Sequence, residues 1–409
     1  MMPSGRQGGE LPKVSQPPGD EAFYGDPYPF YAARRAAGRC FFWQEYGHAC
    51  VTRYDDVNRL LRDRRFGRHI DPALLDAEPN ASPRLRPFRR FERHSLLELE
   101  PPEHTRLRRL VNRAFVSSQV ERLRAPLTEL AHRLIDSMPG GGPADLLPAY
   151  AEPIPLQTIA RLLGVPVEMG PQLLDWSHRM VAMYQHNRDA AVEDAAVAAT
   201  VEFSDYVRDE IARRQREPGD DLLSRLVELR RDGARLDTDE IVSTTILLLN
   251  AGHEATVHAI GNSVRQLLDA PLAPATLFGD AATAAAAVDE LLRFDPPLHL
   301  FTRYALEDVE FAGTRLAAGE LVGAMLASAN RDEARYARAH RLDFERGGGG
   351  QLGFGAGIHF CVGAPLARLE VEVALEVLFQ RLPGLALAAV PRHADRYHFH
   401  GYETLPVCW

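Results

Sequence analysis

The sequence is poor in lysine and cysteine and contains no long hydrophobic run. Its formal net charge is -9 at pH 7, and Lys13 is the only lysine, so nearly all of its positive charge comes from arginine. Nucleic-acid-binding proteins usually carry a basic excess that neutralises phosphates, so this charge balance argues against that class. No apolar stretch reaches the length of a membrane-spanning helix, so membrane insertion is not expected either.

The four cysteines are scattered along the chain as Cys40, Cys50, Cys361 and Cys408, without a C-x-x-C pair. This spacing indicates neither a zinc site nor a disulfide framework, and a reducing cytoplasm fits it best. The polar N-terminus is rich in Gly and Pro and has no apolar core of the kind found in signal peptides. We expect residues 1–20 to form a flexible leader on a cytoplasmic protein.

The composition is that of an ordinary globular protein, with 45% hydrophobic and 25% charged residues. Helical spacing of apolar residues dominates, whereas strand signals are short and local. The clearest helix starts at a cap formed by Asp237 and Glu240 and continues to about Asp269, before Pro271. No compositional break divides the chain. We therefore expect a mainly α fold with a small β region, in one domain over residues 21–409.

The most informative stretch surrounds Cys361 and reads GFGAGIHFCVGAPLAR over residues 353–368. Its glycines permit a tight backbone path before the cysteine, and Gly363 and Pro365 then introduce an amphipathic helix that continues to about Arg381. The sulfur is therefore expected at a helix N-terminus, where the helix dipole and backbone N–H groups favour the thiolate. Dinucleotide binding is not indicated, because the stretch has no G-x-G-x-x-G register.

Two other interpretations of this loop stay open on the residues alone. One is a cysteine nucleophile, since cysteines of low pKa favour helix N-termini and His359 lies two residues away as the only local base. The other is a structural glycine-rich turn, which would leave Cys361 and His359 without a role.

The stretch resembles the haem-binding signature of the cytochrome P450 family, and it does so at Phe354, Gly355, Gly357, His359, Cys361, Gly363, Leu366, Ala367 and Arg368. The resemblance extends from about Asp26 to the C-terminus. It implies the mainly helical, single-domain P450 fold, with a long central helix over the haem. It also implies that Cys361 is the thiolate ligand of the iron of haem b.

Further haem-binding residues follow from the resemblance. Phe354, Gly363 and Ala251 would contact the cofactor. The propionates would be bound by four cationic side chains, namely His104, Arg108, Arg303 and His359. Arginine suits carboxylates because it offers paired donors. From the residues alone, the helix that carries His104 and Arg108 is a solvated basic helix.

A second cationic face is expected on that helix. At about 100° per residue, Arg106, Arg109 and Arg113 lie on roughly the opposite side from His104 and Arg108. We expect them to contribute to a docking surface for an acidic electron donor. A separate donor of ferredoxin type is implied because no flavin or iron–sulfur module is fused to the chain.

Glu290 and Arg293 are spaced i,i+3 and share one face of a helix. An E-x-x-R pair alone carries no information. In the family this pair is a structural lock near the haem, and the sequence FDPP that follows, residues 294–297, resembles the family pattern. We assign the pair to folding rather than to chemistry.

The long helix carries the motif AGHEAT, residues 251–256, where the family usually places an acid and then an alcohol that relay protons. Glu254 keeps the acid, but Ala255 replaces the alcohol. Thr256 is displaced by about 100° around the helix, so its hydroxyl cannot point where residue 255 points. A substrate hydroxyl, an ordered water or a reaction without hydroxylation would each compensate, and neutral drift with a water in the gap explains the change equally well.

The resemblance places the substrate pocket among residues 69–97, 169–186, 247–251 and 298–301. The polar side chains expected to orient a polar or aromatic substrate are those of Asn250, His299, Tyr402 and Glu403. The first of these ranges is rich in arginine, which suits either an anionic substrate or a solvated surface.

The expected function is oxidation of a small organic molecule by dioxygen, in natural-product (secondary metabolite) tailoring. Oxidative coupling of aryl, phenol or indole rings at the same haem is the alternative, and it follows from Ala255. A haem-bound sensor without turnover is a third hypothesis, which Glu254 and a spacious oxygen-side groove disfavour.

Overall fold

A computed structural model describes residues 11–68, 83–114, 120–140, 142–184, 188–231, 236–347, 349–397 and 399–409. Its α-helices, numbered here in chain order, are α1 Glu21–Gly25, α2 Tyr28–Ala37, α3 Tyr54–Arg62, α4 Arg86–Arg93, α5 Glu103–Ala114, α6 Arg124–Ser137, α7 Pro153–Leu163, α8 Gly170–Val181, α9 Ala190–Arg216, α10 Leu222–Arg231, α11 Thr238–Asp269, α12 Ala281–Phe294, α13 Leu326–Asn330 and α14 Ala364–Arg381. None of these helices is long and apolar enough to cross a lipid bilayer.

The strands are short, as the local strand signals predict. They are β1 Lys13–Val14, β2 Cys40–Trp43, β3 His48–Val51, β4 Phe66–Gly67, β5 Ala144–Asp145, β6 Leu300–Ala305, β7 Val309–Phe311, β8 Thr314–Leu316, β9 Leu321–Met325, β10 Ala386–Leu387, β11 Arg392–His393, β12 Tyr402–Thr404 and β13 Pro406–Cys408. The expectation of a mainly α fold with a small β region is confirmed.

The chain forms two compact units. The first comprises residues within 1–78, 289–361 and 393–401. Its main sheet has the order β1-β2-β3-β9-β6-β4, in which β1 pairs parallel with β2 and β3 pairs parallel with β9. One hydrophobic cluster packs α3 against this sheet, and a second is built from aromatic rings that include Phe23, Tyr31 and Trp43.

The second unit comprises residues within 79–288, 362–392 and 402–409. Its long helix α11 contacts α7, α9 and α14, so most of its side chains are buried. Asp237 caps α11 by accepting a hydrogen bond from the backbone N–H of Glu240, whose carboxylate in turn accepts from the N–H of Asp237. This capping box confirms the predicted start of the helix, and the predicted end at Asp269 is confirmed as well.

The leader predicted for residues 1–20 is described only from residue 11. In that part, Lys13–Val14 form β1, and the backbone oxygen of Gln16 accepts a hydrogen bond from the indole of Trp43 at 2.8 Å. The limits of the leader and the single domain over 21–409 stay predictions. Cys50 is buried, and Cys40, Cys361 and Cys408 are half-buried.

Candidate functional site

The loop before α14 brings Phe354, His359 and Cys361 together within the first unit. The backbone N–H of Cys361 donates to the carbonyl of Phe354 at 3.0 Å, so the loop closes on itself before the helix begins. The rings of Phe354 and Phe360 meet edge-on with centroids 6.3 Å apart. Gly363 is the N-cap of α14, with Pro365 in the first turn, as the sequence predicts. The thiol of Cys361 is half-buried.

Two glycines of this loop adopt left-handed backbone conformations. Gly355 has φ 69° and Gly357 has φ 73°. A Cβ at position 357 would also lie 2.2 Å from the backbone oxygen of Leu61, which is closer than any side chain tolerates. A Cβ at position 355 would lie 3.2 Å from the ring of Phe301. The tight path predicted from the glycines is therefore required by the packing of the loop.

Cys361 is flanked by apolar side chains that the protein itself leaves in the open. Ile358 is 42% exposed and Phe360 is 37% exposed, in a molecule where few large hydrophobic side chains are so accessible. Of the remaining predicted propionate ligands of this unit, Arg303 is buried and donates to the carbonyl of Thr302 at 2.8 Å, whereas His359 is half-buried. The loop of Cys361 therefore carries a thiol and an imidazole beside exposed apolar side chains.

In the second unit, α5 carries the other predicted propionate ligands. His104 is buried, and Arg108 is half-buried with its Nε donating to Asn112 at 3.1 Å. On the other side of this helix, Arg106 forms an ion pair with Glu240. Arg109 and Arg113 are exposed. The predicted second cationic face therefore keeps two exposed arginines, because the third is engaged within the protein.

Helix α11 is buried along most of its length, but an apolar strip in its middle is open. Leu247 and Ala255 are half-buried and Ala251 is exposed, and these positions, four residues apart, lie on one side of the helix. Gly252 faces elsewhere, because a Cβ there would lie 3.4 Å from Ile159 of α7. The two adjacent small residues therefore serve different purposes: position 252 permits close helix packing, and position 251 borders the open strip.

The side chains after Ala251 separate as the helical rotation predicts. Glu254 and Thr256 are buried, whereas Ala255 borders the open strip. The hydroxyl of Thr256 hydrogen-bonds the carboxyl of Glu370 on α14. Burial raises the pKa of Glu370 well above its ordinary value, because desolvation penalises the charged carboxylate. Thr256 is therefore engaged away from the strip that Ala255 borders.

Glu370 is a candidate functional residue that the sequence analysis did not single out. The sequence pattern indicates it, because Glu370 lies one turn after Leu366 and one turn before Val373 in the apolar stripe of α14. A carboxyl in such a stripe must be buried, and buried carboxyls are rare unless neutral or paired.

The polar residues expected to orient a substrate fall into three groups. His299 is fully buried in the first unit, with Nδ1 at 2.8 Å from the hydroxyl of Tyr31. Glu403 is exposed and pairs with Arg392 at 3.0 Å, and Tyr402 is largely buried. Asn250 lies beside the open strip, half-buried; its Nδ2 contacts the sulfur of Met180 at 3.9 Å, and its buried Oδ1 has no partner among the described residues.

Parts of the predicted substrate pocket lie outside the described residues, namely 69–82 and 185–186. Within the described remainder of the arginine-rich range, Arg84 pairs with Glu193 and Asp194, and Arg90 pairs with Asp239. These arginines are neutralised by neighbouring carboxylates, which favours the interpretation as a surface over that of an anion site.

The pair Glu290–Arg293 forms a buried network in the first unit. Nε and Nη2 of Arg293 each donate to the carboxylate of Glu290 at 2.7 Å. The remaining guanidinium hydrogens bind the carbonyls of Asn330, Ala339 and Arg341 at 2.8 to 3.1 Å. All contacts of Arg293 are internal, which agrees with its assignment to folding.

The residues fit a haem group on two observations. The loop of Cys361 presents a half-buried thiol among exposed apolar side chains, and the middle of α11 leaves an apolar strip open. Haem offers an iron that a thiolate binds and a flat apolar ring. The cationic side chains predicted for its carboxylates are buried or half-buried rather than extended into solvent.

Comparisons with known proteins agree with this fit. Residues 283–383 match the family model described as "Cytochrome P450". Mycinamicin IV hydroxylase/epoxidase of Micromonospora griseorubida is 40% identical over 367 residues, which cover 88% of this chain and 89% of that protein. Vitamin D(3) 25-hydroxylase of Pseudonocardia autotrophica is 39% identical over 373 residues, covering 90% and 89%.

A solved structure is similar over the same extent. It is that of the cytochrome P450 PksS of the Bacillus subtilis 168 bacillaene polyketide synthase, with a TM-score of 0.86 and 31% sequence identity. The match covers 96% of this chain and 99% of the other.

Proposed function

The chain belongs to the cytochrome P450 family, and from this membership we propose that it oxidises a small organic molecule in natural-product tailoring, with electrons from a separate ferredoxin-type donor. Like its relatives, it is an oxidoreductase of the monooxygenase type. The observation that supports the proposal most directly is the loop of Cys361, which holds a half-buried thiol at the start of α14. We assign that sulfur as the thiolate ligand of haem b.

When bound, haem supplies the activation of dioxygen by two electrons. The protein's part is to hold and surround it. We assign His104, Arg108, Arg303 and His359 to the propionates, because cationic donors that are partly buried bind carboxylates more strongly than solvated ones. Phe354, Gly363 and Ala251 are assigned to contacts with the ring.

On the side of α11, Glu254 is the residue that we assign to proton transfer. Its buried carboxyl lies one residue before Ala255, which borders the open strip and has no hydroxyl to pass a proton on. We assign Thr256 to holding α11 against α14 through Glu370, since its hydroxyl is already engaged there. Proton delivery at position 255 must then come from the substrate or from a water molecule.

This division predicts the effect of restoring the alcohol. With a hydroxyl-bearing substrate, the wild type should couple electrons to product, and with the deoxy analogue it should lose that coupling several-fold, because the proton donor is gone. Ala255→Thr should restore coupling with the deoxy analogue, whereas the isosteric control Ala255→Val should not. Product formed per reducing equivalent is the measurement. If the wild type couples electrons to product equally with both substrates, and Ala255→Thr does not increase the coupling, the substrate hydroxyl is not the proton donor.

The substrate can be sought by its effect on the haem spectrum. The two relatives named above act on mycinamicin IV and vitamin D(3) by their names, so similarity near 40% does not fix the substrate class. A panel that contains both compounds and simple phenolic and indolic molecules tests the proposal broadly. Asn250 suits a substrate with a hydrogen-bond donor, because its buried Oδ1 needs one.

Oxidative ring coupling is the second candidate function, and the observation that favours it is the missing hydroxyl at position 255. Such a reaction joins two aromatic rings with loss of hydrogen and inserts no oxygen. Product mass distinguishes the two: a gain of one oxygen supports monooxygenation, and loss of hydrogens with joined rings supports coupling.

The class of electron donor is assigned from the positive charge exposed on α5. Arg109 and Arg113 are exposed on α5, and a small acidic ferredoxin would be attracted to them. Reversing both charges to glutamate should lower the electron-transfer rate about tenfold at low salt, and the difference should shrink as salt is added. Reversing two exposed arginines on α6 and α9, Arg133 and Arg216, is the control with the same change in net charge. An equal rate in both double variants would rule out this docking surface. A cytoplasmic location is proposed because the spacing of the four cysteines indicates no disulfide framework.

A further inference from the structure

Two imidazoles and one carboxylate form a buried cluster in the first unit, among residues that the proposed function does not use. Asp295 follows the end of α12, His299 lies four residues later, and His400 comes from the segment 393–401. One donor atom of each side chain lies within 4.8 Å of those of the other two. The side chains of His299 and His400 are 0% and 4% exposed and that of Asp295 is 13% exposed, so most of the cluster is buried.

We propose that Asp295, His299 and His400 bind a divalent transition-metal ion of the zinc type. Zn²⁺ takes imidazole nitrogen and carboxylate oxygen at about 2.0–2.2 Å in tetrahedral geometry, which places two donors about 3.3–3.6 Å apart. Nε2 of His400 is 3.5 Å from Oδ1 of Asp295, and Nε2 of His299 is 3.8 Å from the same oxygen. The first distance fits as it stands, and the second needs a shift of a few tenths of an ångström.

His299 gives a second, independent indication. Its Nε2 is buried, and Oδ1 of Asp295 lies 3.8 Å from it, which is too far for a good hydrogen bond, so a bound ion would satisfy this nitrogen. Its Nδ1 is 2.8 Å from the hydroxyl of Tyr31, which itself donates to Tyr397 at 2.8 Å. The oxygen of Tyr31 is therefore free to accept from Nδ1–H, and that tautomer leaves the lone pair of His299 on Nε2. Metal-binding histidines are oriented by such outer hydrogen bonds.

Charges around the cluster are mixed. The guanidinium of Arg331 lies over the rings of Tyr28 and Phe294, at 3.4 and 3.7 Å, and its charge opposes a cation. The negative charge of Asp26, which interacts with His400, favours a cation instead. Tyr28 donates to Oδ1 of Asp295 at 2.5 Å and fixes the carboxylate, which keeps a second lone pair on that oxygen. The carboxylates of Asp295 and Asp26 therefore act against the charge of Arg331.

The backbone already holds the donors in place. Leu298 and Phe399 form an isolated antiparallel bridge, and the N–H of His400 donates to the carbonyl of Pro297 at 2.8 Å. A metal ion would cross-link the same two segments through their side chains. We therefore assign the ion a structural role, with greater thermal stability as its consequence.

The test uses the haem-loaded protein, stripped with a chelator, incubated with ZnCl2 and passed through gel filtration. Zinc and haem are then measured on the same fractions. We expect about one zinc per chain in the wild type and at least tenfold less in Asp295→Asn, His299→Gln and His400→Gln. His393→Gln is the matched control, because the ring of His393 stacks on that of His400 with centroids 5.2 Å apart and His393 is not one of the three proposed ligands. All variants keep the four cysteines, so zinc bound to thiols cancels in the comparison.

The thermal unfolding midpoint gives a second readout. ZnCl2 should raise it by a few degrees in the wild type and in His393→Gln, and it should leave the three donor variants unchanged. If a donor variant does not fold, the zinc content and the zinc-dependent midpoint of the wild type decide. A wild type that retains no zinc, or zinc retained equally by wild type and donor variants, would overturn the proposal. Loss of zinc in His393→Gln alone would overturn this donor set.

Discussion

Arg293→Ala should destabilise the protein by about 3–5 kcal/mol, because it leaves the buried carboxylate of Glu290 without its partner. The guanidinium is 2% exposed and makes every one of its contacts inside the first unit. Its loss also strips three backbone carbonyls of their donor, and buried acceptors without a donor add to the cost. Such a loss is a large part of the stability of an ordinary protein, so we expect little haem-loaded protein at 37 °C.

The control for this change is an exposed pair of the same kind. Arg315 is 77% exposed and pairs with Asp308 at 3.3 Å, and exposed pairs contribute about 0–1 kcal/mol. Arg315→Ala should therefore give a normal yield and a nearly normal unfolding midpoint. Arg293→Lys should lower the yield and the unfolding midpoint as Arg293→Ala does, since an ammonium group cannot make the paired contact with Glu290. An Arg293→Ala protein within about 1 kcal/mol of the wild type would contradict the structural assignment of the pair.

Cys361→Ser should abolish turnover while leaving the fold in place. Serine is nearly isosteric with cysteine, and the backbone contact to the carbonyl of Phe354 does not involve the side chain. A neutral hydroxyl binds iron poorly and supplies none of the electron density that a thiolate gives for O–O cleavage. We expect product formation at the background rate, with less haem per chain. Consumption of reducing equivalents and product yield are measured together with the circular dichroism of the variant.

Cys408→Ser is the matched control, because Cys408 is also a half-buried cysteine. It lies on β13 of the second unit and should keep the wild-type rate. If Cys361→Ser keeps that rate within about twofold, the thiolate assignment is wrong; a variant with native circular dichroism and no product supports it.

Local signals made the helices that position the candidate site predictable. The capping box at Asp237 and Glu240 and the proline in the first turn of α14 are each decided by residues within a few positions of one another. The turn at Gly357 is local as well, although the backbone of Leu61, which excludes a side chain there, lies almost 300 residues earlier in the chain. The glycines therefore predict a tight turn, whereas the packing that requires it is visible only in the fold.

Long-range pairing could not be predicted. Its position on the helix predicts that Arg106 contributes to a docking surface, but it pairs with Glu240. No local pattern in either segment indicates this partner, 134 residues away. The contact of His299 with Tyr31 of α2, 268 residues away in sequence, has no local signal either, and the place of His299 at the substrate pocket stays a prediction. In both cases a polar side chain found a partner on a distant element, and helical or strand periodicity carries no information about such contacts.

The absorption spectrum of the reduced holoenzyme under carbon monoxide tests the ligand assignment most directly. The position of its main band depends on which protein group binds the iron. We expect the strongly red-shifted band of thiolate ligation in the wild type and in Cys408→Ser, and its loss in Cys361→Ser. A wild-type band at the position typical of histidine ligation would contradict Cys361 as the ligand of the iron.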